Sequence, residues 1–320
     1  MMSRPDFLYK QIIFYLVTEK ERLFFRGDNL IIEDSKKEVK LQHSCHRAFA
    51  LFIIGNITLT SVILKKAKAF GFPIFLLNTN FHLDAVIGNC AEGNTLLRRK
   101  QYAVADLAPQ IARNLIRQKI MNQAALLRKN RPPSRWDRHA AAALESLAER
   151  LPTQRDLLMG KEGAASHLFF KVYFKNIGWQ RRAPRCRIDI SNLLLDIGYT
   201  YLFNFMECLL AMYGFDLYCG VYHTFFYHRK SLVCDMIEPF RCIIDHRLRK
   251  AHALSQISEN DFFLDRDHWE LKYNRQLHYV RLFMKDIMDR KEEMFLFVRR
   301  YYLWFMKEEA KNEDFPAFKI

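Results

Sequence analysis

The segment GNTLLRRKQY, residues 93–102, divides the chain into a strand-like part and a helix-like part. Before it, short runs of β-branched and aromatic residues are separated by glycine and proline, a pattern typical of strands joined by turns. These runs predict strands at residues 11–17, 22–25, 29–33, 49–54 and 73–77, with one helix between the last two at residues 58–69.

After this segment, apolar residues recur every three or four positions over long stretches, which is typical of helices. Strands followed by helices indicate an α+β chain. The sequence therefore predicts a β-rich N-terminal domain at residues 1–92 and an all-α C-terminal domain at residues 93–320. The helical patterns cover residues 103–127, 137–150, 156–177, 189–213, 231–254 and 269–309.

The chain carries a large positive charge. Its 50 Lys and Arg outweigh 35 Asp and Glu, which gives a formal charge of +15 at pH 7. Such a charge attracts polyanions, of which nucleic acid is the commonest and an anionic membrane the second. The membrane is the weaker interpretation, because no uncharged apolar run approaches the roughly 20 residues that a spanning helix needs. No signal peptide is recognisable.

Cysteine usage indicates a reducing compartment. The seven cysteines form no CxxC pair, and they are interpreted as reduced thiols of a cytoplasmic protein. His43, Cys45 and His46 are close in sequence and could suggest zinc, but a second pair of ligands at finger spacing is missing. A surface loop before a strand is the favoured interpretation of these three residues.

The positive charge is concentrated in two stretches. Residues 98–135 contain ten Lys and Arg but one acid, Asp106, and a second group spans residues 229–250. A solvated helix face explains any single cation, whereas so uneven a segment favours contact with phosphates. No helix-turn-helix, zinc-finger or RNA-recognition pattern predicts base-specific contacts. The candidate DNA contacts are Arg98, Arg99, Lys161, Arg229, Lys230, Arg241 and Arg247.

Three segments of the helical part place acids or a histidine among apolar residues, where an unpaired charge is expensive. In LLMGKEGAAS (157–166), Glu162 lies between two glycines. These glycines either admit a ligand or form a packing notch, with Glu162 capping a helix start. The segment GFDLYCGVYH (214–223) ends in His223, and an isolated histidine of this kind is more often structural.

The third segment, SLVCDMIEPFR (231–241), contains two acids at helical spacing. Asp235 and Glu238 are three residues apart and share one face of a predicted helix that Ser231 would cap. Two interpretations are about equally supported. The acids either belong to a surface face paired with Arg241 or bind a divalent cation that activates a phosphodiester.

Together, the three segments resemble the Cas-one family of CRISPR-associated endonucleases and integrases. That family has a Gly-x-Glu-Gly-Ala element, a Gly-Phe-Asp-x-Tyr-x-Gly-x-x-His element and a Ser-Leu-x-x-Asp-x-x-Glu-x-Phe-Arg element in this order. The segments FIIGNITLT (52–60), GFPIFLL (71–77) and GNTLLRRKQY (93–102) are similar to its β-domain and interdomain motifs. Each motif alone is weak, but the ordered set is specific and covers nearly the whole chain.

The resemblance implies that the helical domain is catalytic and binds Mg²⁺ or Mn²⁺. It assigns the metal ligands to Glu162, His223 and Asp235, and it makes Glu238 a further catalytic acid that orients a ligand or a metal-bound water. His223 could instead act as a general base. The resemblance also implies a prokaryotic homodimer that joins a small Cas-two partner and binds double-stranded and branched DNA. That assembly inserts short DNA fragments into a CRISPR array through attack by a DNA 3′-hydroxyl.

Two other functions would use the same basic segments. A non-catalytic DNA-binding assembly subunit would keep Asp235 and Glu238 as structural ion pairs. A general repair nuclease would cut branched DNA without joining it. Metal-dependent joining of strands distinguishes the three possibilities.

Overall fold

A computed structural model describes residues 4–17, 21–78, 83–88, 93–130, 132–177, 179, 181–224, 226–307 and 314–320. The chain divides into two units, of which the first contains Met1–Arg98 with Glu207–Phe215 and the second Arg99–Met206 with Asp216–Ile320. The first unit is rich in strands and the second in helices, so the predicted α+β class is confirmed. The division falls close to the predicted boundary after residue 92, but the sequence did not predict that Glu207–Phe215 belongs with the first unit.

Within the described residues, the first unit contains a four-stranded and a three-stranded sheet. The elements are α1 (Arg4–Tyr9), β1 (Gln11–Leu16), β2 (Arg22–Arg26), β3 (Asn29–Glu33), β4 (Val39–Ser44), β5 (Ala48–Ile54), α2 (Ser61–Phe70), β6 (Ile74–Leu77) and β7 (Leu83–Ile87). In the larger sheet, β1 is parallel to β5, β5 is parallel to β6 through the crossover helix α2, and β6 is antiparallel to β7. The smaller sheet is the antiparallel series β2, β3 and β4.

The predicted strands are confirmed with small differences at their ends. The burial of a strand explains whether the sequence pattern predicted it. Every residue of β5 is buried, and Phe52 is stacked between Phe14 and Phe75 at 4.4 and 4.7 Å between ring centroids. A strand covered on both faces has a continuous apolar run. No side chain of β4 or β7 is buried, so neither strand has such a run and neither was predicted.

The histidines near Cys45 bind oxygen atoms of the first unit. His43 Nε2 lies 2.8 Å from Gln11 Oε1, and His46 Nε2 lies 3.0 Å from Asp28 Oδ2. Cys45 itself is fully buried in the core. The three residues therefore do not form the surface loop that was predicted, because His43 lies in β4 and Cys45 begins a 3₁₀ turn and is buried.

The helical part of the chain contains one β-hairpin. Its strands β8 (Phe262–Asp265) and β9 (His268–Leu271) pair antiparallel, so the helix predicted at residues 269–309 begins instead as a strand. The helices are α3 (Thr95–Tyr102), α4 (Ala108–Arg128), α5 (Arg135–Glu149), α6 (Arg155–Tyr173), α7 (Ile190–Tyr213), α8 (Ser231–Ile237), α9 (Arg241–Ala253), α10 (Gln276–Asp289) and α11 (Lys291–Met306).

The helix predicted at residues 231–254 is interrupted at Pro239. The chain forms α8, a 3₁₀ turn at Glu238–Phe240 and then α9. Proline has no backbone N–H to donate and its ring disfavours a continuous α-helix. The interruption gives Glu238 a backbone position different from that of Asp235, which lies inside α8.

Helix α7 is the core helix of the helical part. It is the one helix among the described residues that is long and apolar enough to cross a membrane, and 72% of its apolar window is buried inside the structure. Gly198 lets α9 approach, because a Cβ at this position would lie 2.5 Å from Ile244 Cγ2. Such burial is typical of a helix that forms the interior of a folded domain.

Candidate functional site

Three elements of the second unit bring two carboxylates and an ammonium group together. Helix α4 presents Lys119, α6 presents Glu162, and the 3₁₀ turn presents Glu238. Lys119 Nζ lies 2.5 Å from Glu162 Oε1 and 2.7 Å from Glu238 Oε2. Ser166, one turn further along α6, donates a hydrogen bond to the same Glu162 oxygen over 2.9 Å. The two acids therefore share one cation.

The carboxylate of Glu238 is buried and held in its charged form. Only 4% of the side chain is exposed, and Arg241 Nε donates a hydrogen bond to Glu238 Oε1 over 2.9 Å. Burial opposes ionisation, but the charges of Arg241 and Lys119, the contact with Lys119 and the charge of His223 together lower the pKa of Glu238 to about 2. Burial also opposes the charge of Lys119, but Glu238 and Glu162 raise its pKa.

Contacts on both sides hold the turn that carries Glu238. Asn122 of α4 donates from Nδ2 to the Pro239 carbonyl over 2.9 Å. On the other side, the guanidinium of Arg241 lies 4.7 Å from the ring centroid of Tyr199, close enough for a cation–π contact. The Tyr199 hydroxyl in turn donates to Asp245 Oδ1 over 2.5 Å. This network restricts the orientation of the Glu238 carboxylate.

The carboxylate of Asp235 is fully buried and organises the loop that carries His223. Asp235 Oδ2 accepts the backbone N–H groups of Val221 and Tyr222 at 2.6 and 3.0 Å. Asp235 Oδ1 accepts the His223 N–H at 2.9 Å and lies 2.6 Å from His223 Nδ1. A Cβ on Gly220 would lie 2.8 Å from Asp235 Oδ2, so glycine is needed where the loop turns around the carboxylate.

All four predicted catalytic residues lie in one region of the second unit. His223 lowers the pKa of Glu238. Burial raises the pKa of Tyr222, and the charges of Glu162, Glu238 and Asp235 raise it further. In the part of the chain that the structure describes, no three His, Cys, Asp or Glu side chains already converge at the spacing of a metal site.

The donor groups of this region fit Mg²⁺ or Mn²⁺. Glu162 and Glu238 already surround one cation, and carboxylates with one imidazole are donors that these metals accept. Asp235 is less suited to direct coordination, because its two oxygens face four donors and its side chain is completely buried. Since His223 Nδ1 faces Asp235, a metal would contact His223 at Nε2. The residues that could hold it are therefore Glu162, Glu238 and His223.

The glycines beside Glu162 lie on an open surface. Among the described residues, no atom lies within 4 Å of a Cβ built on Gly160 or Gly163, so this part of the chain forms no packing notch at these glycines. Glu162 lies inside α6 and not at a helix start. Ser231 is likewise the first residue of α8 and not its cap, and its hydroxyl donates to the Thr224 carbonyl over 3.1 Å.

The candidate DNA contacts differ in exposure. Arg99 and Lys161 are exposed, whereas Arg98, Arg229 and Lys230 are half-buried. Arg98 donates to the Gly214 carbonyl over 3.2 Å, and Arg229 donates to the Thr224 carbonyl. Arg99 and Lys161 are therefore the cations most open to a phosphate.

Two of the candidate arginines are engaged inside the protein. Arg241 is committed to Glu238. Arg247 is only 7% exposed, and its guanidinium contacts Gln256 and lies 3.9 Å from Asp286. The prediction that Arg247 contacts DNA is contradicted by this burial, because a phosphate cannot reach its donors without displacing protein.

Lys119 is the site residue that sequence analysis overlooked. The sequence pattern counts it only among the cations of residues 98–135. On α4, however, Ile116, Asn122 and Gln123 share its face and are all buried. A lysine on a buried helix face indicates a paired charge, because lysine is almost never buried unless it is paired.

Comparison with known proteins identifies the family. The family model described as "CRISPR associated protein Cas1" matches residues 14–285. The relative "CRISPR-associated endonuclease Cas1 1" of Thermodesulfovibrio yellowstonii is 29% identical over 228 residues, which cover 67% of this chain and 72% of the relative.

Solved structures share the fold. A chain of "Partial Cas6-RT-Cas1--Cas2 complex" has a TM-score of 0.78 at 18% identity, covering 96% of this chain and 98% of that chain. "Casposase bound to integration product" has a TM-score of 0.71 at 17% identity, covering 97% and 94%. The family model spans most of the chain and the whole site from Lys119 to Arg241. The chain therefore belongs to the Cas1 family of CRISPR-associated proteins, the Cas-one family whose motifs its sequence contains.

Proposed function

We propose that this chain is a metal-dependent DNA endonuclease and integrase that inserts short DNA fragments, or spacers, into a CRISPR array by transesterification. The observation that carries the proposal is the pair Glu162 and Glu238, held around one cation in a basic helical unit. Two proteins of similar fold support it, since one is a casposase bound to an integration product and the other belongs to a Cas1–Cas2 complex.

In this proposal, Glu162, Glu238 and His223 would hold Mg²⁺ or Mn²⁺, which would supply a positive charge that polarises the scissile phosphate and stabilises the leaving oxygen. Before a metal binds, Arg241 and Lys119 keep Glu238 ionised, and Asp235 orients the imidazole through Nδ1. The motif resemblance makes Asp235 a metal ligand and Glu238 the acid that orients a ligand. We propose the reverse, because hydrogen-bond donors enclose the carboxylate of Asp235.

The nucleophile is the 3′-hydroxyl of the incoming DNA, and no side chain becomes covalently attached. Two observations on the nearby hydroxyl groups support this choice. Burial raises the pKa of the Tyr222 hydroxyl, which disfavours its nucleophilic phenolate form. The Ser231 hydroxyl is engaged with the Thr224 carbonyl. Neither group is free to attack a phosphate.

The proposed partners are double-stranded and branched DNA, a second copy of the chain and a small Cas-two (Cas2) protein. The exposed cations Arg99 and Lys161 would contact the DNA backbone. Lys161 precedes Glu162 directly on α6, so a phosphate bound by Lys161 would lie next to the carboxylate pair. The contact is electrostatic and does not depend on base sequence.

The function is tested by strand transfer from a labelled short duplex into a plasmid that carries a CRISPR array. The reaction contains the chain and its Cas2 partner, with Mg²⁺, Mn²⁺ or EDTA. We expect joined product only with metal and only when the duplex has a 3′-hydroxyl. Glu162→Gln and Glu238→Gln should each lower the rate by on the order of 100-fold or more, because each removes a carboxylate that would hold the metal.

Glu145→Gln is the matched control, because Glu145 pairs with Arg128 on a half-exposed surface outside the site. It should join strands as the unchanged protein does. Cut but unjoined DNA would favour a repair nuclease, and full joining in EDTA or by Glu162→Gln would contradict the proposed metal site. Binding of the labelled duplex should survive in all variants.

A further inference from the structure

We infer that Lys119 is an internal counter-cation of the catalytic carboxylates, and that the divalent metal must displace its ammonium group in order to bind. The inference rests on the proposed metal site and adds a residue to it. The structure places Lys119 Nζ between Glu162 Oε1 and Glu238 Oε2, at 2.5 and 2.7 Å. The ammonium thus occupies the position between the two acids.

The two acids, Glu162 and Glu238, need a cation when no metal is bound. Lys119 is 11% exposed and Glu238 only 4%, so water screens their charges weakly. Two carboxylates that share a buried site repel each other unless one takes up a proton or a cation lies between them. Arg241 contacts Glu238 Oε1, and Glu162 has Ser166, but only Lys119 contacts both acids among the residues described.

The ammonium group and a metal held between these two acids would exclude each other. Lys119 Nζ lies 2.5 Å from Glu162 Oε1 and 2.7 Å from Glu238 Oε2, so a metal bound between the same two oxygens would need the position that the ammonium group now occupies. Two cations cannot share these oxygens, because their repulsion in a weakly screened site is large.

The ammonium group of Lys119 can move toward the side of Glu162. The Glu238 side is closed by Arg241 and Asn122 of the same network. The Glu162 side is more open, since 22% of its side chain is exposed and nothing lies near a Cβ at Gly163. The flexible stem of lysine allows its ammonium to leave toward this side. Lys119 therefore competes with the metal without blocking access to it.

Lys119→Met keeps most of the length of the side chain and removes its charge, which gives three measurable effects. In EDTA, the variant should melt at a lower temperature than the unchanged protein, because its two acids have lost their shared cation. Isothermal titration with MnCl₂ should show at least about tenfold tighter binding, since no ammonium is displaced. Mn²⁺ should also raise its melting temperature more than that of the unchanged protein.

Two further variants make the result unambiguous. Lys129→Met makes the same change at the end of α4, where Lys129 Nζ contacts the Ile320 carbonyl, and should leave Mn²⁺ affinity unchanged. Lys119→Met with Glu162→Gln restores the charge balance, so it should recover stability in EDTA if Lys119→Met alone folds poorly.

The outcomes separate the counter-cation from the proposed function. Equal melting temperatures of Lys119→Met and the unchanged protein in EDTA, or equal Mn²⁺ affinities, would overturn the inference. Absence of Mn²⁺ binding to both proteins would instead overturn the proposed metal site, whatever the stability in EDTA. Tighter binding together with lower metal-free stability supports the role of Lys119.

Discussion

At the residue scale, the carboxylate of Asp235 accepts three backbone N–H groups and faces the His223 ring. A buried carboxylate with this many donors stabilises the loop around it, because each unpaired N–H would otherwise be buried without a partner. In the proposed function, Asp235 holds the imidazole of His223 in one orientation. A residue with this role should affect folding and metal affinity together.

The variant Asp235→Asn separates this role from direct coordination. An amide has one oxygen and would turn its NH₂ group toward backbone donors, so we expect the free energy of unfolding to fall by roughly 2–4 kcal/mol. Urea denaturation measures this loss. Glu162→Gln is the comparison and should lose less than about 1 kcal/mol, because the Glu162 side chain is 22% exposed and Lys119 keeps Glu238 as a partner. An Asp235→Asn protein as stable as the unchanged one would show that the loop does not depend on the charge.

The open glycines of α6 allow a second prediction at this scale. Alanine at Gly160 and Gly163 meets no neighbouring atom and favours the helix, so the double variant should gain roughly 1–2 kcal/mol in unfolding free energy. Gly198→Ala is the contrasting variant, because its Cβ would overlap Ile244, and it should lose roughly 1–3 kcal/mol. Thermal denaturation compares the three proteins, and a destabilised double variant would mean that the surface beside Glu162 is covered.

The sequence pattern predicted four site residues but not the contacts that each one makes. Asp235 and Glu238 are spaced as on one face of a continuous helix, which predicts similar surroundings for the two acids. The helix is interrupted at Pro239, so their surroundings differ. The groups that enclose Asp235 are backbone N–H groups of residues 221–223, and a backbone N–H is not distinguished by the type of residue. Lys119 was missed for a related reason, since its partners come from α6 and the 3₁₀ turn, distant in sequence.

At the element scale, α9 connects the site to the interior. Its Arg241 contacts the ring of Tyr199 on α7, and the Tyr199 hydroxyl donates to Asp245, which also lies on α9. Asp245 is fully buried, and burial raises its pKa to about 6, although its hydrogen bond from Tyr199 and the charge of Arg241 favour the ionised form. The unfolded chain releases this proton near pH 4. Between about pH 4 and 6, the folded protein therefore binds more protons than the unfolded chain, and stability falls as the pH rises.

Asp245→Asn tests this pH dependence and keeps an acceptor for Tyr199. At pH 7 the variant should be more stable than the unchanged protein by on the order of 2–3 kcal/mol, because it avoids a buried charge. Near pH 3.5 the two proteins should have the same stability, since Asp245 is protonated in both states. Unfolding free energies measured from pH 3.5 to 7 provide the comparison, and a constant difference over this range would refute the assigned pKa.

Elements with one strongly apolar pattern were predictable, and elements that depend on distant partners were not. β5 and α7 are buried along their length and have long apolar runs. The hairpin β8–β9 is mostly exposed, and it is tied to the rest of the second unit by contacts such as Trp269 N–H to the Arg187 carbonyl. Arg187 is distant from the hairpin in sequence, so the apolar pattern of the hairpin's own residues favoured a helix.

At the scale of the whole molecule, the family membership confirms the resemblance seen in the ordered motifs. The formal charge of +15 belongs to this scale. A protein that binds DNA through phosphates releases counterions, so its affinity depends steeply on salt. We expect the affinity for a short duplex to fall by roughly 10³-fold between about 50 and 200 mM NaCl if six or more phosphates are contacted.

Fluorescence anisotropy at several salt concentrations measures this dependence. Lys161→Ala should reduce the slope of log affinity against log salt by roughly one, whereas Lys36→Ala, an exposed lysine in the turn between β3 and β4, should leave it unchanged. A flat salt response of the unchanged protein would argue against the basic segments as the DNA-binding surface.

Helix α7 begins among residues of the second unit and ends among residues of the first. A gene fragment that stops at the strand–helix boundary would therefore encode a first unit without its last piece, Glu207–Phe215. A single cut in the reading frame therefore cannot release both units whole.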